Sequence, residues 1–237
     1  VRAGRDDRRA LVRVVNAMRP DVLCVQEAPR LPGRRRRLAR ETGLTIAAGG
    51  RVSGSRLAGT AVLTGPAVRV LYAAEHRLRW FPALEPRVVV FAVVEKGGLR
   101  LAVCCFHLDL HPGARLRHAA EIVPIVERLA RIFGARAVLC GDVNEEPGGP
   151  TWRYLARRFA DCYGESPKGE GGTFTARRPA KRIDGIFAAP GLAVACCGAA
   201  DADPADLVIA SDHRPVVADL YGDTLGGAAT ESAEKSV

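Results

Sequence analysis

Apolar and polar positions alternate along this chain with helical and strand periods, and the switches between them mark its elements. Leu11, Val14, Val15 and Met18 recur at helical spacing after Asp6 and Asp7, which suit a helix start, and Pro20 ends that helix. Asp21–Glu27 (DVLCVQE) reads as a short buried strand ending on two polar residues. Arg34–Arg37 open a second, basic helix. Short strands follow at Ile46–Ala48, Ala61–Thr64 and Ala67–Tyr72, punctuated by Gly and Pro. Arg87–Glu95 and Leu99–Phe106 flank Lys96-Gly97-Gly98, a hairpin signal, and the second strand runs straight into His107-Leu108-Asp109. A long helix over roughly Ala114–Phe133 carries Ile122, Ile125, Val126, Leu129 and Phe133 on one face, and Pro124 predicts a kink or a break in it. Ala137–Cys140 is a strand ending in Gly141-Asp142-Val143-Asn144. A helix near Thr151–Arg158, a polar loop Gly164–Gly172, and strands Ile183–Ala188 and Leu192–Cys196 follow. Ser211-Asp212-His213 turns into a last strand, Pro215–Leu220. The irregular alternation and the antiparallel hairpin predict an α/β protein with mixed sheets.

Composition narrows the class. The chain has 237 residues, 48% hydrophobic and 26% charged, enough to bury about 70% of its unfolded surface. It is neither disordered nor collagen-like in composition. No apolar run approaches the roughly 18–20 residues of a membrane span, and the opening VRAGRDDRRA is unlike a signal peptide. Residues 1–221 are expected to form one domain, with a small, polar, disordered tail over 222–237. Lys and Arg number 35 against 26 Asp and Glu, a net charge of +9. That excess reflects either a GC-rich coding bias toward Arg or a surface that attracts phosphate esters or nucleic acid. The seven Cys have no C-x-x-C spacing, and several sit in apolar runs as small hydrophobes. A reduced, cytoplasmic protein is expected, without a zinc site.

The candidate chemistry follows one pattern: apolar strands end abruptly in residues that bind metal or move protons. Gln26-Glu27 follows VLCV, His107 and Asp109 follow LAVCCF, Asp142 and Asn144 follow AVLCG, Asp184 opens DGIF, and Asp212-His213 precedes PVVADL. Any one of these has a plain reading as a turn or cap residue. Five in one chain point to a shared cleft at one rim of a sheet.

The ordered set QE (26–27), HLD (107–109), GDVN (141–144), RIDGIF (182–187) and SDHRPV (211–216) resembles the endonuclease/exonuclease/phosphatase family, which includes DNase I-like nucleases, exonuclease III-type repair enzymes, sphingomyelinases and inositol polyphosphate phosphatases. The resemblance implies a four-layer α/β/β/α sandwich of two mixed sheets with the site at one end. It implies hydrolysis of phosphate esters with Mg²⁺ or Mn²⁺, most readily as a phosphodiesterase or nuclease. Glu27 would be the principal metal ligand, with Asp212 and Asp142 beside it. Asp142 would orient or deprotonate the attacking water, and Asn144 would hold that water or a phosphate oxygen. His213 would bind the phosphate, with Asp184 fixing its tautomer and charge. His107 would contact the phosphate or assist the leaving group, and Arg87 stands near a phosphate-facing position. A phosphodiester substrate, nucleic acid among the choices, and a monomeric protein are expected.

The chain departs from the family pattern in two places. Relatives begin with a strand ending in Asn that supplies another metal-site ligand; no such strand precedes the first helix here, which would leave an open sheet edge. The glutamate motif reads QEAP where abasic-site enzymes carry QETK. The alternative reading is a catalytically weak member that binds a phosphate-bearing partner. His111 and His118 read as surface residues, Asp109 as a cap on the loop before Pro112, and Glu145 and Glu146 as a solvated turn.

Overall fold

The structure, a computed structural model, describes residues 6–28, 32–49 and 59–222. The elements in order are α1 (Arg8–Met18), β1 (Val22–Val25), α2 (Pro32–Glu41), β2 (Thr45–Ala48), β3 (Ala61–Thr64), β4 (Arg69–Arg77), β5 (Val88–Lys96), β6 (Leu99–His107), α3 (Pro112–Phe133), β7 (Arg136–Asp142), α4 (Pro150–Ala156), β8 (Ala160–Asp161), α5 (Cys162–Glu165), β9 (Pro167–Lys168), β10 (Asp184–Ala188), β11 (Leu192–Ala199), α6 (Pro204–Ile209) and β12 (Val216–Gly222). The tail expected to be disordered lies, past Gly222, outside the described residues.

The centre is a six-stranded mixed sheet in the order β4-β5-β6-β7-β10-β8, with β6 and β7 parallel and the other neighbours antiparallel. Alternation along its strands supplies two core faces. Val89, Phe91 and Val93 of β5 pack with Cys104 and Phe106 of β6, Leu139 of β7 and Phe187 of β10 under helices α3 and α4. Each fully buried Phe there contributes roughly 1.5–3 kcal/mol. Val90, Ala92, Val94, Val103 and Cys105 point the other way, onto a second β layer. That layer is made of two three-stranded sheets, β1-β3-β2 and β12-β11-β9. The first covers β5 and β6, and the second covers Val138, Cys140, Ile186 and Ala188 of β7 and β10. Helix α2 lies on the outside of the first through Ala39, and α1 packs on α6 through Ala10, Val14, Leu207 and Ala210. The α/β/β/α order is the expected one. Strands β1 and β12 each pair on one side only among the described residues.

Several elements differ from expectation for identifiable reasons. Helix α3 runs unbroken through Pro124. Pro124 is exposed, so the carbonyl its ring leaves unpaired faces water. The β5–β6 hairpin turns on Gly97 and Gly98, both with positive φ (56° and 81°), as a tight two-residue hairpin turn requires. Strand β4 starts later and runs longer than Ala67–Tyr72 because its whole length pairs with β5. Helix α6 has no counterpart among the expected elements; Asp203 caps it by accepting from the Ala205 N–H. Of the four arginines that open α2, Arg34, Arg36 and Arg37 are exposed while Arg35 is buried. All seven cysteines are free thiols, and Cys24 packs against the cluster that contains Cys105 between the β layers. Among the described residues, no helix is long and apolar enough to cross a membrane.

Candidate functional site

Three adjacent strands end in one row. In the register of the central sheet His107 of β6 lies opposite Asp142 of β7, and Asp142 lies opposite Asp184 of β10. Cys105, Cys140 and Ile186, two residues away on the same strands, face the second β layer. The period of two therefore places all three polar side chains on that face, at the end of the sandwich. Gly141 permits this close approach: a Cβ there would fall 2.1 Å from the Phe106 carbonyl oxygen.

His213 is delivered by the turn before β12. Phe174 forms isolated bridges with both Lys181 and His213, and its ring centroid lies 4.9 Å from that of the imidazole. The Thr173 hydroxyl accepts from the Ile183 and Asp184 amides at 3.2 and 3.3 Å, fixing the start of β10. His213 Nδ1 then lies 2.8 Å from Asp184 Oδ2. Ligand atoms of Asp142, Asp184 and His213 all fall within 4.8 Å of one another.

The electrostatics of the row are uneven. Asp142 is 5% exposed, and burial together with the Asp184 charge pushes its carboxyl up to about 7, against the pull of His213 and the Asn144 amide. That amide donates to Asp142 Oδ1 at 2.7 Å. Burial and the neighbouring Arg87 push His107 down to about 3, so its imidazole is neutral. The neutral tautomer follows from its neighbours: Arg87 donates to Nδ1 at 3.3 Å, which leaves the proton on Nε2, 3.4 Å from Asp142 Oδ2. For His213, burial works against the charged form, but the hydrogen bond to Asp184 and the charges of Asp184, Asp142 and Asp212 outweigh it and raise its pKa. The site thus sets a neutral His107 beside a His213 whose surroundings favour the charged form.

The remaining expected residues surround this row. Asn144 follows directly, its Nδ2 donating to the Leu108 carbonyl at 3.0 Å. Arg87 leans on His107, with Asp109 Oδ2 3.9 Å from its Nε. Glu27 is exposed at the exit of β1, outside the trio of ligand atoms. Its strand reaches the same rim, since Gln26 and Val25 both hydrogen-bond to the Cys105 thiol. Among the described residues, Glu27 and Asn144 are two of the four non-glycine residues with positive φ, at 49° and 55°. For Glu that backbone is strained, which is a feature of functional sites. Asp212 adjoins His213 and adds to its charge. Asp109 caps its loop as expected, accepting from the His111 N–H at 2.8 Å, and His111 caps α3.

Two readings are corrected. His118 is not a surface residue: it is 2% exposed, and its Nε2 bonds the Arg79 carbonyl at 2.9 Å. Glu145 is not a solvated turn residue: its side chain is 9% exposed and pairs with Arg115. The signal available was its place just ahead of a Pro-initiated helix, where a carboxylate can accept the first N–H groups. Thr173 and Phe174 carried no sequence signal, because their contacts depend on long-range pairing.

A hard divalent cation takes carboxylate oxygens. This rim offers Asp142 and Asp184 with Glu27 and Asp212 on adjoining turns; burial, and after it the charge of Asp184, lifts Asp142, and a cation relieves that repulsion. The donor set fits a hard divalent cation. Asp184 favours the charged form of His213, the form in which the ring donates and does not ligate.

The sequence profile of the Endonuclease/Exonuclease/phosphatase family matches residues 1–213. No curated protein matches significantly. Solved structures do. A conserved protein of unknown function from Enterococcus faecalis superposes with a TM-score of 0.77 at 24% identity, covering 91% of each chain. A mannosyl-6-phosphatase from Bacteroides thetaiotaomicron gives 0.76 at 18% identity over 90% of each chain. The human Nocturnin catalytic domain with bound sulfate gives 0.72 at 19%, covering 91% of this chain and 86% of that one. At these identities the likeness is one of fold.

Proposed function

Because the chain belongs to the endonuclease/exonuclease/phosphatase family, whose members are phosphoester hydrolases, we propose that it hydrolyses phosphate esters with the help of Mg²⁺ or Mn²⁺, phosphodiesters in preference to monoesters. The observation that carries this reading is the aligned row His107–Asp142–Asp184 closed by His213. Asp142 stands at the middle of the row, and its carboxylate accepts the proton of an attacking water. His107, neutral and held by Arg87, orients that carboxyl through its Nε2–H. Asn144, with one amide proton on Leu108, presents the rest of its amide to the water or to a phosphate oxygen. The His213 imidazolium, fixed by Asp184, stabilises charge that grows on the phosphoryl oxygens in the transition state. Glu27, Asp212 and Asp142 would hold the cation, which supplies neutralisation of the phosphoryl and leaving oxygens.

The net charge of +9 supports an anionic substrate, nucleic acid included. The free thiols fit a reducing, cytoplasmic setting, where we place the protein. The test is hydrolysis of bis-p-nitrophenyl phosphate and of p-nitrophenyl phosphate by the purified protein, with Mg²⁺ and with excess chelator. The reading expects chelator-sensitive turnover, faster on the diester. Faster turnover of the monoester would replace the diester assignment with a phosphomonoesterase, and turnover indifferent to chelator would overturn the metal assignment.

A further inference from the structure

We infer that Arg115 and Glu145 are positioning residues, a buried ion pair that holds the catalytic turns in register; this rests on the hydrolytic role proposed above for Asn144 and Asp142. Arg115 lies one turn into α3, its side chain 8% exposed. Its Nη1 donates to three main-chain carbonyls: Asp109 at 3.3 Å, Leu110 at 3.2 Å and Asn144 at 2.6 Å. Its Nη2 donates to Glu145 Oε1 at 3.2 Å. The other Glu145 oxygen accepts the Thr151 and Trp152 amides at 2.7 and 2.9 Å, the opening of α4. One guanidinium therefore ties together the turn after β6, the turn after β7 and the start of α4.

The arrangement is not what stability alone selects. A buried ion pair gains little over packed apolar side chains of the same volume. Arg115 Nε is itself buried with no hydrogen-bond partner among the described residues. The donors go instead to the carbonyls flanking the row. Asn144 has a left-handed backbone (φ 55°), and the bond from Arg115 to its carbonyl holds the peptide in that orientation. In that orientation its N–H meets Asp142 Oδ1 and its side chain meets Leu108. Loosening Arg115 lets both contacts drift while the core under α3 stays intact. A Lys ammonium is a point charge without the planar fork, so Arg115→Lys keeps the charge and loses the geometry.

The test uses bis-p-nitrophenyl phosphate with Mg²⁺ and four proteins: wild type, Arg115→Lys, Asn144→Ala and the double variant. Arg115→Lys is expected to lower kcat more than tenfold with KM within about twofold, and to add little further loss in the Asn144→Ala background. Wild-type kcat in Arg115→Lys, or losses that multiply in the double variant, would overturn the inference while leaving the hydrolytic reading in place. Wild-type turnover in Asn144→Ala would instead overturn the role given to Asn144, and the inference with it. If Arg115→Lys does not fold, Glu145→Gln carries the same comparison, since it keeps the acceptor for the α4 amides and removes the charge that anchors Arg115.

Discussion

His213 Nδ1 lies 2.8 Å from Asp184 Oδ2, which joins the turn before the last strand to the first residue of β10. With His213 protonated, the ring donates to the carboxylate and presents its other N–H to the site. The raised pKa of His213 depends on this contact and on the neighbouring carboxylates. Asp184→Asn is therefore expected to lower the His213 midpoint, read from its ring-proton NMR shift in cation-free protein. A folded-state pKa above the unfolded value of about 6.5 gives stabilisation that is complete below that value and fades as pH rises through the folded midpoint. The stability lost in Asp184→Asn should be largest near pH 5–6 and should shrink toward alkaline pH. An unmoved His213 midpoint would remove Asp184 as the source of its charge.

Asp142 has the opposite sign. Its folded carboxyl holds a proton up to about pH 7, while the unfolded group loses it near the ordinary value of 3.8. Between those values the folded state binds more protons, so stability falls as pH rises through the window. Asp142→Asn removes that penalty. The variant should be more stable than wild type by at least about 1 kcal/mol at pH 8, and the difference should nearly vanish at pH 4. Urea unfolding of cation-free protein at both values measures it. A variant less stable than wild type at pH 8 would contradict the buried, destabilised carboxyl.

Arg182 ties the segment before β10 to Asp161 of β8. It pairs with both oxygens of Asp161, at 2.8 and 2.7 Å, and lies over the Trp152 and Tyr163 rings at 4.6 and 4.9 Å. Asp161 also accepts the Trp152 indole N–H at 3.0 Å. Removing one partner of a largely buried pair costs about 3 kcal/mol, and a chain of this size loses roughly 2–4 °C of Tm for each of those. Arg182→Ala should lower Tm accordingly. Arg182→Lys should recover only part of the loss, because the fork and the ring stacking go together. Equal Tm values for Lys and Arg would show that charge alone matters there.

The row His107–Asp142–Asp184 was legible in the sequence because each residue ends or begins an apolar strand, and strand ends in a sheet share a rim. The Gly97-Gly98 turn was legible because its backbone demands Gly. The buried Arg115–Glu145 pair was not. Charged residues beside a Pro/Gly segment read as solvated, and what buries Glu145 is the approach of Gly149, where a Cβ would lie 2.3 Å from its side chain. His118 read as exposed because the group that buries it, the Arg79 carbonyl, comes from a loop 39 residues away. Whether Pro124 kinks α3 or breaks it was not legible, because period and propensity do not say which side of a helix a proline faces. The division of the second β layer into two sheets depends on pairing between distant segments, which hydrophobic pattern does not encode.

The most direct measurement is kcat for bis-p-nitrophenyl phosphate with Mg²⁺ in wild type and in Asp142→Ala, with the fold of each checked by circular dichroism. A positioned base contributes on the order of 10²–10⁴ in rate. The account predicts a loss in that range in a folded variant. Wild-type turnover in Asp142→Ala would contradict the claim that the row at the ends of β6, β7 and β10 carries out the hydrolysis.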